Sequence, residues 1–167
     1  MDTPTHQRSS SAHVYVRPLT RRDLDACVKI TTSPNLGRYE VNEILAAHSP
    51  TTLGIFTTPP VPASTARPPT PSLHPHEEIM VGYILATLSK PEEEHGQGPF
   101  LTVKETQAEE DILKVTLIKS WIGRMRDAKI ARKIILQEGA VRGEEERGVW
   151  EKTGFVRDEG GWVLYGL

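Results

Sequence analysis

The chain has 167 residues, 37% hydrophobic and 25% charged, which suits one soluble globular domain and leaves little room for a second core. With 20 basic against 22 acidic residues the net charge is −2, so no bulk pull toward nucleic acid or anionic lipid is expected. No apolar run reaches bilayer length, the N-terminus lacks the apolar core of a signal peptide, and the single Cys27 excludes an internal disulfide, so a cytoplasmic protein with no membrane association is expected.

Residues 1–12 are rich in Ser and Thr and are expected to form a flexible tail before a single domain over 13–167. Val14, Val16 and Leu19 mark a short strand that stops at Pro18. Thr20 is placed to cap a helix carrying Asp23 in its first turn and Leu24, Cys27 and Val28 on its apolar face. Buried there, Cys27 reads as a structural thiol, with no neighbouring His to activate it. Tyr39 to His48 repeats Val41, Ile44 and Leu45 at helical spacing, and Pro50 closes that second helix.

Leu53 to Phe56 reads as a strand, and Ile79 to Leu88 as a longer one with Val81, Tyr83 and Leu85 on one face. Between them, 7 of the 13 prolines fall from Pro59 to Pro75, so residues 57–76 are expected to be a Pro-rich loop insertion. Lys90 to Gly98 is an acidic loop, followed by a strand over Phe100 to Val103. Ile112 to Arg126 carries Leu113, Leu117, Trp121 and Met125 at four-residue steps, the pattern of a core helix, with Lys114, Lys119, Arg124 and Arg126 on its wet side. Ile134 to Leu136 is a short apolar strand, Glu144 to Lys152 a short helix and Trp162 to Tyr165 a last strand. The order β α α β β β α β α β predicts an α+β domain with a mixed, mostly antiparallel sheet flanked by helices.

Several chemistries are absent. There is no G-x-S-x-G elbow, Walker loop or H-E-x-x-H. His74, His76 and His95 fall in the Pro-rich and acidic loops without ordered acids, and no metal site is expected. The acids Glu92 to Glu94 and Glu144 to Glu146 read as solvated faces.

VRPLTRRDLDA resembles the opening strand and helix of the GNAT superfamily of acyl-CoA-dependent N-acyltransferases, MVGYIL its third strand, and VWEKTGF its closing Y-E-K-x-G-F signature. The resemblance implies a GNAT-like fold whose fourth and fifth strands, Phe100 to Val103 and Ile134 to Leu136, splay apart. It implies acetyl-CoA as cofactor, its pantetheine arm on Leu101, Thr102 and Val103. Its pyrophosphate would meet Gln107, Ala108, Glu110 and Ile112, where a loop opens the following helix and free N–H groups favour an anion. The family writes that loop Q/R-x-x-G-x-G/A, whereas this chain has Gln107-Ala-Glu-Glu-Asp-Ile112, with no glycine and with carboxylates at Glu109, Glu110 and Asp111. The closing tyrosine, a proton donor to the departing thiolate in many members, is Trp150, and the asparagine common seven residues earlier is Gly143.

The function this implies is acetyl transfer from acetyl-CoA to a primary amine of an unknown acceptor, small molecule or protein. Glu105, just past the fourth strand, is the candidate general base, its alternative being a surface ion pair. Tyr39 is the candidate acceptor-site residue. The alternative function is a catalytically degenerate GNAT-like module that binds a protein partner or its own copy, favoured by the acidic loop and by Trp150.

Overall fold

Seven strands hydrogen-bond into one sheet in the order β1-β2-β3-β4-β5-β7-β6. They are β1 (His13–Pro18), β2 (Leu53–Thr58), β3 (Ile79–Ser89), β4 (Phe100–Ala108), β5 (Lys133–Leu136), β6 (Val156–Asp158) and β7 (Gly161–Tyr165). Among the described residues the helices are α1 (Leu24–Ile30), α2 (Arg38–Ala47), α3 (Asp111–Ala128) and α4 (Gly143–Lys152). This computed structural model describes residues 13–34, 36–58, 78–90, 98–137, 139–159 and 161–167. The expected tail over 1–12 lies outside them, as do His74, His76, His95 and nearly all of the Pro-rich and acidic loops. Thr57 and Thr58, assigned to the Pro-rich loop from sequence, belong to β2.

Neighbouring strands are antiparallel except β4 and β5, which run parallel. A parallel pair needs a crossover, and α3 supplies it. The expected α+β class is therefore the observed one, and among the described residues no helix is long and apolar enough to cross a membrane.

Each face of the sheet carries its own core. On one, Leu117, Ile118, Trp121 and Met125 of α3 pack with Ile55, Ile84, Val103 and Trp150. Burying each large apolar side chain stabilises by about 1.5–3 kcal/mol, so the stripe read from the sequence is the main fastening of α3. Trp121 completes it by donating its indole N–H to the carbonyl of Thr51 at 2.8 Å. On the other face, Cys27 of α1 and Val41, Ile44 and Leu45 of α2 pack with Phe56, Tyr83 and Leu85. Burial, helped by the charges of Asp23 and Glu105, pushes the Cys27 thiol up to about 12, so it stays protonated.

Thr20 caps as expected, its hydroxyl accepting from Arg22 N while Asp23 accepts from Thr20 N at 2.8 Å. The capped turn is a 3-10 turn that leads into α1. Arg17 grips the same carboxylate with two N–H bonds of 2.9 and 3.0 Å and reaches Glu78 at 2.8 Å. Burial by itself would raise the Asp23 carboxyl, but the Arg17 and Thr20 hydrogen bonds outweigh it and hold the group below the usual range.

Three expectations are corrected. β4 does not stop at Val103 but continues through Lys104-Glu-Thr-Gln-Ala108, because β3 pairs with it as far as Gly82↔Ala108. Gly82 allows this closeness, since a Cβ there would sit 2.7 Å from the carbonyl oxygen of Gln107. On β3, Val81 does not share a face with Tyr83 and Leu85: the register slips between Ile55 and Phe56 on β2, and Val81 turns to the α3 face. Finally, the chain forms a closing hairpin of β6 and β7 where one strand was expected.

Candidate functional site

The site follows from unequal strand lengths. β4 and β5 pair only over Phe100–Val103 and Lys133–Leu136, with Gln137 N donating to Val103 O as the last link. Beyond that point the chains separate: the two strands splay, but Phe100 to Val103 and Ile134 to Leu136, where the splay was expected, are the paired part, and the separation begins at Lys104. Among the described residues, Lys104 to Ala108 have β3 on one side and no strand on the other. Lys104 is also a bulge, since Leu85 pairs with Glu105 and Ala86 with Val103. A cleft of about 710 Å³ opens there, between Lys104–Gln107 and the Gln137–Arg142 segment, with the loop after α1 as its third wall. Neither Trp121 nor Trp150 lines it.

The predicted residues divide sharply. Leu101, Thr102 and Val103 are paired to strands on both sides, and Leu101 and Val103 are fully buried, so their backbone edge is not free. The free edge starts one residue later. Gln107 and Ala108 are strand residues, and only Glu109 and Glu110 separate β4 from α3. Glu109 N closes back onto Val81 O at 3.0 Å, and Glu110 precedes α3 without a side-chain cap bond. Ile112 is 70% exposed and Tyr39 71% exposed, and neither lines the cleft. Of the three loop carboxylates, Asp111 alone lines it, joined there by Glu145 and Glu146 of α4.

Glu105 is neither past the strand nor at the surface. It lies within β4, 5% exposed, on the cleft floor. Tyr83 Oη donates to it at 2.6 Å, Ser33 N at 2.9 Å, Gln107 Nε2 at 3.2 Å and Thr32 N at 3.3 Å. Burial first, then the hydrogen bond to Glu105, pushes the Tyr83 phenol far above its ordinary value, so it remains a donor.

Above this floor the walls are tied together. Gln107 Nε2 donates to Thr32 Oγ1, and Arg142 reaches the same oxygen from the opposite wall at 3.3 Å. Lys114, placed on the wet side of α3 from its sequence position, is paired with Glu146 of α4, with the two side chains 12% and 14% exposed. Glu146 also accepts from Arg142 N at 2.5 Å. Lys114 thus answers one acid of the cleft, and Lys104 and Arg142 line it as well. Gly143, where a family asparagine was expected, opens α4 with φ +80, a backbone that favours glycine.

The sequence offered no signal for Thr31, Thr32, Ser33 or Tyr83, because their roles depend on contacts with residues far along the chain. Thr106 was missed for the same reason. It is 2% exposed, lines the cleft, and its hydroxyl has no hydrogen-bond partner among the described residues. Trp150 N–H is likewise buried without a partner among them, the ring standing edge-on to Phe155 at 4.9 Å. Buried polar groups are normally paired, so the Thr106 hydroxyl is an exception, and the free β4 edge would suit an amide-bearing arm such as pantetheine. Among the described residues no cluster suited to a metal ion is present.

No model of a known protein family matches the chain, and no curated relative does. Solved structures do. The chain is similar to a protein of the NatC complex bound to Gag peptide and CoA, at 14% identity over 92% of this chain and 99% of that one, with a TM-score of 0.60. Agmatine N-acetyltransferase, in an apo mutant form, aligns at 11% identity over 92% and 99% with a TM-score of 0.59. A GNAT-family acetyltransferase from Streptococcus pneumoniae aligns at 15% over 92% and 96%, with a TM-score of 0.52. Over 92% of its length this chain has the fold of the GNAT acetyltransferases.

Proposed function

We propose that the chain is an N-acetyltransferase that uses acetyl-CoA and a primary amine of a small molecule or protein. The observation that carries the reading is the open cleft along the unpaired edge of β4, which neither tryptophan fills. Bound acetyl-CoA would supply an activated thioester carbonyl. The chain's part is positional. Lys104 to Ala108 offer backbone groups to an extended arm. The first N–H groups of α3, with Lys104 and Arg142, offer positive potential at the phosphate end, against which Asp111 acts. The amine must arrive deprotonated or lose its proton to water in the cleft, and the departing thiolate must take its proton from that water too, since the buried indole of Trp150 is no acid.

The test is calorimetry with acetyl-CoA on the wild-type chain, Glu110→Gly and Asp111→Asn, followed by an amine and peptide screen for acetyl transfer. Micromolar binding is expected, tightened several-fold by Asp111→Asn, the acid that faces the cleft, and little changed by Glu110→Gly. Absence of binding in all three refutes the cofactor. It would favour a second reading, a GNAT-fold binding module, which draws support from Glu145 and Glu146 in the cleft and from Trp150 in place of an acidic side chain.

A further inference from the structure

The surroundings of Glu105 carry an inference that rests on the transferase reading and refines it. A carboxylate has about four lone-pair directions in which to accept hydrogen bonds. Those of Glu105 meet four donors: Tyr83 Oη at 2.6 Å, Ser33 N at 2.9 Å, Gln107 Nε2 at 3.2 Å and Thr32 N at 3.3 Å. The hydroxyl of Thr31 adds a fifth contact at 3.2 Å, shared with Tyr83 Oη at 2.5 Å. Among the described residues no basic side chain pairs with Glu105. Saturated in this way and 5% exposed, the group has no direction left from which to take a proton from an incoming amine.

The same bonds do something else. Thr31, Thr32 and Ser33 follow the end of α1 and lie outside every helix and strand. Thr31 N still closes α1 by bonding to Cys27 O, while Thr32 N and Ser33 N donate to the carboxylate of Glu105. Thr32 and Ser33 form the cleft wall on the α1 side, and Thr32 is also where Gln107 and Arg142 meet.

We infer that Glu105 is a positioning residue: one buried carboxylate clamps Thr31–Ser33 against β4 and so sets the shape of the cleft wall on the α1 side, against which the amine would lie, without exchanging a proton in the reaction. The neutral amide of glutamine has the same length, keeps an oxygen for Ser33 N and can donate to the Tyr83 or Thr31 oxygen. It can therefore replace a clamp but not a base.

The experiment compares wild type, Glu105→Gln and Glu105→Ala as full chains by residue-resolved amide hydrogen exchange and by kinetics of acetyl transfer. Ser33 N–H is expected to be protected about 100-fold or more in wild type despite lying in no regular element. Protection is expected to persist within about tenfold in Glu105→Gln and to vanish in Glu105→Ala, where KM for the amine rises at least tenfold. In Glu105→Gln, kcat stays within about threefold of wild type with the same pH profile, whereas loss of a general base would cost about 10²–10⁴-fold. An unprotected Ser33 in wild type, or a hundredfold fall in kcat in Glu105→Gln with Ser33 still protected, overturns the inference. If Glu105→Ala does not fold, wild type and Glu105→Gln decide by themselves. If wild type transfers no acetyl group, the transferase reading fails, and the exchange data still test the clamp.

Discussion

The ion pair between Lys114 and Glu146 joins the first turn of α3 to α4 across one side of the cleft, and its removal has a calculable cost. Lys114→Met keeps the length and apolar stem of the side chain and deletes only the charge. Glu146 would then keep a single donor, Arg142 N, with its side chain 14% exposed. Orphaning one member of a buried pair costs about 3–5 kcal/mol, and since neither partner is fully dry a smaller loss, about 2–3 kcal/mol, is expected. A domain of this size shifts by about 2–4 °C per kcal/mol, so the melting temperature should fall by roughly 5–10 °C. Removing both charges in Lys114→Met/Glu146→Leu should return most of the loss, because no uncompensated charge remains. Thermal and urea unfolding followed by circular dichroism, on wild type, both single variants and the double, gives the coupling directly. If Lys114→Met melts within about 1 °C of wild type, the pair is screened like a surface pair and does not fasten α3 to α4.

Three further outcomes are expected. Asp23 has its carboxyl lowered in the folded state, so its contribution is complete above the unfolded range near pH 4 and drains as pH falls through the folded value. Asp23→Asn should therefore be less stable than wild type at pH 7 and show a shallower decline in urea midpoint on acidification; parallel curves would count against the Arg17 clamp. Gly82→Ala forces a methyl to within 2.7 Å of Gln107 O and 2.9 Å of Ile55, which should cost about 1–3 kcal/mol in urea unfolding and weaken acetyl-CoA binding by displacing the end of β4. Trp150 is fully buried and does not line the cleft, so a phenol placed there by Trp150→Tyr is out of reach of the thioester and acetyl transfer should stay within about threefold of wild type; a tenfold rise would mean that this position does deliver a proton.

The sequence was most legible where a single element decides its own structure. The four-residue rhythm of Leu113 to Met125 gave α3 to within two residues at each end, and the Thr20 and Asp23 box gave the first turn. It was least legible where a partner decides. Lys104-Glu-Thr-Gln-Ala is polar and poor in strand-forming residues, and it is a strand because β3 binds it as far as Gly82. The bulge that sends Val81 to the opposite face from Tyr83 arises from pairing with β2, and strict alternation could not reveal it. Glu105 was singled out as a base just past the fourth strand, whereas it lies within β4 and its burial depends on donors from residues 31–33 and 83. No local pattern announces a carboxylate satisfied from so far along the chain.

The cleft is, at root, a difference in length. β4 has 9 residues and β5 has 4, and the overhang from Lys104 to Ala108 extends about 17 Å at the usual rise of a strand. A ligand that lies along it would be read mainly by amide and carbonyl groups that every residue except proline presents alike. Glu105 and Gln107 apart, which tie the opposite wall to the strand, side chains there are free to change while the backbone surface stays the same, so long as the two strands part company at the same place. What selection must hold for that backbone surface is a stopping point, and an insertion that lengthened β5 would close the cleft without touching a single residue on its floor.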